Sequence, residues 1–375
     1  MEKDILLYLA TPKVGSGKTT LVRFIIDALQ VDEKSVCYCA FTGKAAEVLR
    51  KKGNKNCLTL HKLLYEFRPM PNGGFMKTPR AELEYNIIVV DEISMAPKGM
   101  IDLLFTYDCY VLCLGDPGQI PPLDKKDDNH LLDHPHVFLD QIMRQAQESE
   151  IIRLSMKIRN GEYLDNFDGK EVKVFPHNKL STGMLTWADI VLTAKNDTRL
   201  KVNNQIRELR GFGDKPQDGD KLICLRNYWD DFTTTAAPII NGTIGYVKNL
   251  REDIIHIPPR IQTSMRTIDI YRADFITDDG ILEDMQIDKK MLLTGEKTCS
   301  WKDSYKLQRA KKNHGELEPK ELAYAYAITT HKAQGSEWEK VLVLEENFPF
   351  SREEHKRWLY TACTRASSRL VLVKQ

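Results

Sequence analysis

The sequence is short of the features that mark a secreted, membrane or zinc-binding protein. Its longest apolar run is far below the roughly 20 residues that cross a membrane, and its first residues, MEKDILLYLA, lack a signal-peptide pattern. The eight cysteines include no C-x-x-C pair, which argues against a zinc site. Several lie in apolar runs such as VCYCAF, as buried thiols do in a reducing cytosol. We therefore expect a cytoplasmic protein with no membrane partner.

An excess of charge of either sign is also missing. The formal net charge is +1, from 54 Lys and Arg residues against 53 Asp and Glu residues. This balance excludes a strongly basic protein that coats nucleic acid, because such coating depends on a large positive excess. Binding of nucleic acid would therefore need a local groove.

What the sequence does contain is a series of short apolar runs. In residues 1–145 these runs alternate with helical patterns, which predicts an α/β core with a parallel sheet. A second set, in residues 146–215 and 319–375, predicts a second core of the same class. Between them, residues 216–318 have short alternating strand patterns and Gly-rich turns, which are typical of a small inserted β-domain.

A short insertion, at about residues 67–84, interrupts the first core. It contains Asn72-Gly73-Gly74, and this kind of sequence favours the tight turn of a β-hairpin because its residues accept positive φ. Phe75 is the aromatic residue nearest to that turn. The insertion therefore predicts a short hairpin with an aromatic side chain near its tip.

Residues 9–20, LATPKVGSGKTT, nearly match the phosphate-binding pattern G-x-x-x-x-G-K-[ST], with Pro12 where the first glycine is expected. The fixed φ of proline suits a strand exit. A glycine-bearing turn between a strand and a helix aims backbone N–H groups and the positive helix end at one anion. Lys18 would reach the outer phosphates and Thr19 would hold Mg²⁺. The alternative is a Gly-rich turn with an ordinary surface lysine.

Polar side chains follow two further predicted strands, at the edge where an open parallel sheet binds ligands. Asp91 and Glu92 end the run IIVVDE. The first carboxylate could hold Mg²⁺ through water, and the second could orient or deprotonate an attacking water. Gln119 follows the next strand in GDPGQ, where its amide could sense a γ-phosphate. A plain Asp-Pro-Gly turn is the alternative there.

Eight strings in a fixed order carry a family resemblance. They are GSGKTT, AFTGKAAEVL, TLHKLL, VVDEISM, LGDPGQIPPL, MRQ, ITTHKAQGSEWE and LYTACTRASSRLVLV. Together they resemble a superfamily 1 DNA helicase, and the RecD/Dda-like branch that moves 5′ to 3′ fits best. The resemblance implies two RecA-like parallel-sheet cores, with a short pin insertion in the first and a small SH3-like β-domain in the second. It also implies ATP and Mg²⁺ as cofactors, single-stranded DNA and strand junctions as partners, and a bacterial or phage-infected cell.

The resemblance also implies roles for individual residues. Catalytic roles fall to Lys18, Glu92, Gln119, Arg144 and Arg365, and Mg²⁺ binding to Thr19 and Asp91. The predicted ATP-binding residues are Val14, Gly15, Ser16, Gly17, Lys18, Thr19, Thr20, Gln119, Arg144, Gly335, Glu337 and Arg365. The predicted DNA-binding residues are Thr42, Lys44, Thr59, His61, Phe75, Asn227, Asn241, Thr330 and His331.

Several of these residues have a structural alternative. Arg365 could form a surface salt bridge, Arg144 could be structural, and His61 could be an ordinary core or surface histidine. Phe75 could merely pack the hairpin onto the core. The basic run Lys302–Lys312, KDSYKLQRAKK, could follow the DNA backbone or form a solvated charged face.

Three other functions stay open at this stage. One is a P-loop kinase of a small molecule, although the DNA-contact strings and the second core argue against it. Another is a single-strand-binding platform with weak or no ATPase, which the substituted corner at Pro12 keeps open. The third is a helicase of 3′-to-5′ polarity. Stimulation of ATP hydrolysis by single-stranded DNA distinguishes a motor from a kinase or a platform.

Overall fold

The structure, a computed structural model, describes residues 6–10, 18–69, 75–121, 129–138, 148–228, 239–278, 280–347 and 351–375. The side chains of residues 6–10, 18–20, 67–69, 75–77 and 312 are not among the described atoms. The chain divides into two compact units. The first comprises residues 1–66, 79–199 and 328–375, and the second comprises residues 67–78 and 200–327.

The first unit contains two sheets, of which the first is built near the start of the chain. Its strands are β1 (Leu6–Ala10), β2 (Val36–Ala40), β3 (Cys57–Thr59), β6 (Ile87–Asp91), β7 (Tyr110–Gly115) and β8 (Val137–Phe138). The helices of this region are α1 (Lys18–Ala28), α2 (Gly43–Lys51), α3 (Leu60–Leu64) and α4 (Lys98–Leu104). The strand order is β3-β2-β6-β7-β1-β8, and neighbouring strands run parallel. This confirms the predicted α/β class.

The apolar runs form these strands because the sheet is covered on both faces. Along β2, Cys37 and Cys39 pack into one buried cluster, whereas Tyr38 packs into another on the opposite face. Along β6, Ile88 and Val89 alternate in the same way. A strand buried on both faces has no polar face to show, so it appears in sequence as a continuous apolar run.

Strands β4 (Tyr65–Pro69) and β5 (Phe75–Pro79) form a separate two-stranded sheet. They flank the predicted turn at Asn72-Gly73-Gly74, which lies outside the described residues. Residues 67–78 group with the second unit rather than with the first.

The second sheet of the first unit begins with β9 (Phe167–Asp168), β10 (Val172–Pro176) and β11 (Ile190–Thr193). The helices of this stretch are α5 (Glu150–Asn160), α6 (Thr182–Trp187) and α7 (Asn196–Leu209). The chain then enters the second unit before it returns to complete this sheet.

The second unit is built on an antiparallel sheet. Its strands are β12 (Lys221–Cys224), β13 (Ile244–His256), β14 (Thr267–Thr277), β15 (Gly280–Asp288) and β16 (Leu322–Tyr324), in the order β15-β14-β13-β12-β16. Its helices include α8 (Lys289–Thr294) and α9 (Trp301–His314). The sequence predicted short strands here, but β13 and β14 have 13 and 11 residues. They are long because their far ends pack into a second buried cluster, which includes Ile257, Ile268 and Leu307 of α9.

The return of the chain completes the second sheet of the first unit. It adds β17 (Ala327–Thr329), β18 (Trp338–Leu344) and β19 (Ala366–Lys374), with helices α10 (Thr330–Ala333) and α11 (Arg352–Cys363). The order is β17-β11-β18-β19-β10-β9, in which β11, β18, β19 and β10 pair in parallel and β9 pairs antiparallel to β10. We call the two parallel-sheet parts of the first unit the first core and the second core. Within the described part of the chain, no helix is long and apolar enough to span a membrane.

Candidate functional site

The predicted phosphate loop lies outside the described residues, but the elements on both sides of it are described: β1 ends at Ala10, on the carboxyl edge of the first sheet, and α1 begins at Lys18. Lys18 is the first residue of α1, and α1 follows β1 across the loop. The first N–H groups of a helix have no partner within the helix, so this position suits an anion. Val14, Gly15, Ser16 and Gly17 lie outside the described residues, as do the side chains of Lys18, Thr19 and Thr20.

The two predicted carboxylates lie at the same edge. Asp91 is the last residue of β6, and its Oδ1 accepts a hydrogen bond of 2.9 Å from the backbone N–H of Glu92. Glu92 has the left-handed backbone conformation, with φ 52° and ψ 46°. Few residues other than glycine adopt it, and such strained positions are concentrated at functional sites. Both residues are half-buried.

Gln119 lies in the loop that follows β7. Its side chain is buried, and its Oε1 has no hydrogen-bond partner among the described residues. The loop is shaped by Asp116, whose Oδ1 accepts from the backbone N–H of Gly118 at 2.9 Å and whose carbonyl accepts from the N–H of Gln119 at 3.1 Å. A buried amide without a partner costs about 1–3 kcal/mol. The Gln119 side chain therefore has hydrogen-bonding capacity left for a ligand.

The second core docks on this same loop. Ile120, next to Gln119, donates its backbone N–H to Thr361 Oγ1 of α11 at 3.0 Å. The Ile120 carbonyl accepts from Gln334 Nε2 of the second core at 3.0 Å. Both polar groups of one residue in the first core are therefore satisfied by the second core.

A third contact between the cores is a buried hydrogen bond, which we call the inter-core bridge. Tyr360 of α11 donates its hydroxyl to Asp116 Oδ2 at 2.5 Å. Arg159 of α5 lies 3.6 Å from the other oxygen of this carboxylate. Burial raises the pKa of Tyr360 well above its usual value, and the negative charge of Asp116 raises it further. The phenol therefore keeps its proton and remains a donor.

Arg365 lies between the end of α11 and the start of β19. Its guanidinium is 2% exposed and donates to the carbonyl of Thr361 at 3.1 Å, to Thr364 Oγ1 at 3.1 Å and to the carbonyl of Ser336 at 3.4 Å. The surface-salt-bridge alternative is wrong, because the side chain is buried against neutral oxygens. Thr361 links it to the loop of the first core. The structure thus brings the Gln119 loop and Arg365 together.

For the other residues predicted at the ATP site, namely Gly335, Glu337 and Arg144, the structure gives fewer contacts. Gly335 has φ +75°, and a Cβ atom there would lie 3.1 Å from Ala45 Cβ and 3.3 Å from Thr42 Oγ1 at the start of α2. The backbone of the second core therefore passes close to the first at this glycine. Glu337 is exposed, and Arg144 lies outside the described residues.

Two predicted DNA-contact residues of the first core are helix caps. Thr42 caps α2, since its Oγ1 accepts from the N–H of Ala45 at 3.2 Å. Thr59 caps α3, since its Oγ1 accepts from the N–H of Lys62 at 3.3 Å. Strands β2 and β3 are parallel neighbours, so both caps lie at the carboxyl edge of the sheet.

Their neighbours are engaged in contacts within the first core. Lys44 forms an ion pair of 3.2 Å with Glu47, one turn further along α2. The ring of His61 lies 5.8 Å from that of Phe41 and 6.1 Å from that of Tyr65. His61 is half-buried, so part of the imidazole faces solvent.

The matching residues of the second core lie at the start of α10. Thr330 is buried, and its hydroxyl donates to the carbonyl of Thr193 at 3.5 Å. His331 is half-buried, and burial lowers its pKa below the usual value. The imidazole is therefore neutral at pH 7.

In the second unit, two predicted residues meet directly. The backbone N–H of Asn241 donates to Asn227 Oδ1 at 2.8 Å, and both residues are exposed. Phe75 is the first residue of β5, and its side chain lies outside the described atoms.

Sequence reasoning missed the residues that join the cores. Asp116, Tyr360 and Thr361 lie inside strings that were singled out, but no local pattern predicts that the first two pair. Arg159 lies in α5, where no motif surrounds it. Among the described residues, no group of three or more His, Cys, Asp or Glu side chains could hold a metal ion.

Comparisons with known proteins agree with this architecture. A family model described as an AAA domain matches residues 2–172, and one described as a UvrD-like helicase C-terminal domain matches residues 324–373. The ATP-dependent RecD2 DNA helicase of Deinococcus radiodurans is 26% identical over 390 residues, which cover 97% of this chain and 46% of that protein. The ATP-dependent DNA helicase dda of Enterobacteria phage T4 is 27% identical over 167 residues, which cover 41% of this chain and 37% of that protein.

The chain thus spans less than half the length of either helicase relative. A crystal structure of Pif1 helicase from Bacteroides, in complex with ADP-AlF3 and single-stranded DNA, shares the fold. The TM-score is 0.52 at 19% identity, and the match covers 99% of this chain and 89% of the other. The two parallel sheets fit two RecA-like cores. The two family models and the two helicase relatives together support a similarity of this chain to superfamily 1 helicases of the RecD- and Dda-like branch.

Proposed function

We propose that this chain is an ATP-driven motor that moves 5′ to 3′ along single-stranded DNA and unwinds duplex ahead of it. The observation that carries the proposal is the docking of α11, which ends next to Arg365, on the loop that holds Gln119. A nucleotide held by the first core would therefore have groups of both cores beside it. Hydrolysis in such a composite site changes how the cores contact each other, which is what a motor requires.

In this proposal the protein catalyses ATP hydrolysis mainly by positioning the reacting groups and neutralising charge, rather than by covalent chemistry. Lys18 neutralises the outer phosphates, Glu92 orients and deprotonates the attacking water, and Gln119 contacts the γ-phosphate or that water. Arg365, with Arg144, stabilises the transferring phosphoryl group. Arg365 must first leave the oxygens that hold it here, and this ties its use to movement of the cores.

Mg²⁺ fits the residues at this edge. Asp91 ends its strand half-buried, and only one of its oxygens accepts a hydrogen bond from Glu92. A lone carboxylate suits Mg²⁺, which keeps several waters and takes its remaining ligands from phosphate. Bound there with the hydroxyl of Thr19, the ion would neutralise charge on the phosphates.

We assign the proposed DNA contacts to each unit separately. In the two cores, the amino ends of α2 and α3, which Thr42 and Thr59 cap, offer hydrogen bonds to a DNA strand, as does the neutral imidazole of His331. In the second unit, which we take as the SH3-like domain, the exposed pair Asn227 and Asn241 is proposed to contact single-stranded DNA as well.

The β4–β5 hairpin is the proposed pin that meets the duplex junction. Phe75 would stack on the first unpaired base, a contact worth roughly 1–3 kcal/mol. Phe75→Ala should therefore reduce unwinding more than it reduces ATPase stimulated by single strands. Equal losses of both activities would indicate instead that Phe75 packs the hairpin onto the core.

The test of the motor is ATP hydrolysis with and without single-stranded oligo(dT). A motor responds strongly to the strand, whereas a small-molecule kinase and an ATP-independent binding platform do not. Polarity is tested with duplexes that carry either a 5′ or a 3′ single-stranded tail. Unwinding from the 3′ tail alone would contradict the 5′-to-3′ assignment while leaving the motor intact.

A further inference from the structure

Helix α9 of the second unit exposes an aromatic pair that none of the roles above uses. Trp301 is 80% exposed, although tryptophan is among the most buried residue types on average. Its ring stacks on that of Tyr305, one helical turn later, with ring centroids 6.1 Å apart and planes 15° apart. The outer face of Trp301 is therefore a flat, fixed and solvent-exposed aromatic surface.

Positive charge accompanies these rings. Lys302, Lys306 and Arg309 are exposed on α9, at positions adjacent to the aromatic pair. The acidic residue of this helix, Asp303, is buried and accepts hydrogen bonds from Ser264 and Ser300. Its charge is thus directed inward, and the outer side of the helix presents positive charge next to aromatic rings.

The loop between β13 and β14 adds to this surface. Its Gln262 carbonyl accepts a hydrogen bond from Lys306, and its Ser264 N–H donates to Asp303 at 3.0 Å. The same loop carries Arg260 and Arg266, both of which are exposed. We call Arg260, Arg266, Trp301, Lys302, Tyr305 and Lys306 the α9 surface.

The α9 surface lies in the same unit as the asparagine pair and is connected to it. Arg226, next to Asn227, donates to one oxygen of Glu318 at 2.9 Å, and Gln308 of α9 donates to the other oxygen. A single strand bound at the asparagine pair can therefore continue onto the α9 surface.

We propose that the α9 surface is a further contact site for single-stranded DNA, in which a base stacks on Trp301 and the neighbouring cations hold the phosphates. This inference rests on the proposed function. Unpaired DNA fits better than duplex, because the faces of paired bases are already covered by their neighbours. Combined aromatic stacking and positive charge is how proteins hold single strands without sequence preference.

The test measures the affinity of Trp301→Ala for an oligo(dT) of about 30 nucleotides by fluorescence anisotropy. We expect the affinity to fall about fivefold or more, because one base stack is lost. Lys302→Gln should reduce the salt dependence of binding by about one phosphate contact.

Tyr110→Ala is the matched control, since Tyr110 is 53% exposed but lies in the first unit, near the acidic Asp108. It should bind the oligonucleotide like the wild type. No loss of affinity in Trp301→Ala would overturn the site and would leave the aromatic pair to a protein partner. If the wild type itself shows no ATPase response to the oligonucleotide, the proposed motor fails instead.

Discussion

The inter-core bridge provides the sharpest test of how the two cores act together. Tyr360→Phe removes one hydroxyl and leaves the ring, so the change isolates the 2.5 Å hydrogen bond to Asp116. A hydrogen bond to a charged group contributes about 1.5–3 kcal/mol, which corresponds to a factor of roughly 10–150 in an equilibrium constant. Asp116 keeps its bond from Gly118, so its carboxylate is not left without partners.

This loss should appear in turnover, because the bridge holds the Gln119 loop against the helix that ends at Arg365. We expect kcat for ATP hydrolysis stimulated by single-stranded DNA to fall about tenfold, the lower end of that range. The KM for ATP should change little, because the phosphate loop is untouched. Since burial raises the pKa of Tyr360, the wild-type phenol stays protonated at pH 9. The defect should therefore be the same at pH 7 and pH 9.

Tyr107→Phe is the matched control. Tyr107 is also buried, and its hydroxyl donates to the carbonyl of Arg80 at 2.8 Å within the first core. That bond is neutral and does not join the cores, so its loss should cost about 1 kcal/mol of unfolding free energy and leave kcat unchanged. If Tyr360→Phe and Tyr107→Phe have the same kcat, the bridge is a stability element and the coupling argument is refuted.

Three further predictions concern single residues. Lys18→Ala should reduce DNA-stimulated ATP hydrolysis by about 10²–10³-fold, and wild-type turnover would refute the ATP-site assignment. Arg365→Ala should lose turnover to a similar extent while ATP still raises the melting temperature, because the arginine acts on charge that develops during transfer; unchanged hydrolysis would contradict the composite site. The pKa of His331 is lowered in the folded state, so its stabilising contribution is present above the unfolded value of about 6.5 and is lost as pH falls below it. Between about pH 7 and pH 5, the free energy of unfolding measured with urea should therefore fall less for His331→Asn than for the wild type; an equal fall in both proteins would disprove this.

The strands of the two cores could be predicted from sequence because each has its own periodic signal. Val36–Ala40 and Ile87–Asp91 are continuous apolar runs, and a parallel strand buried on both faces requires such a run. The lengths of β13 and β14 could not be predicted in this way. They depend on Leu307 of α9, which packs beneath their far ends and lies far along the chain.

The ordered strings also predicted Gln119 and Arg365, and the structure brings them together through Ile120 and Thr361. Loop chemistry of this kind is local, so a short stretch of residues determines it. What only the tertiary structure decided is which buried groups meet. Asp116 and Tyr360 are 244 residues apart in sequence, and they form a hydrogen bond because the order of strands in two sheets carries a loop and a helix to the same place. Sequence periodicity specifies which face of a helix or strand is buried, whereas the packing of the whole unit determines which other element that face contacts.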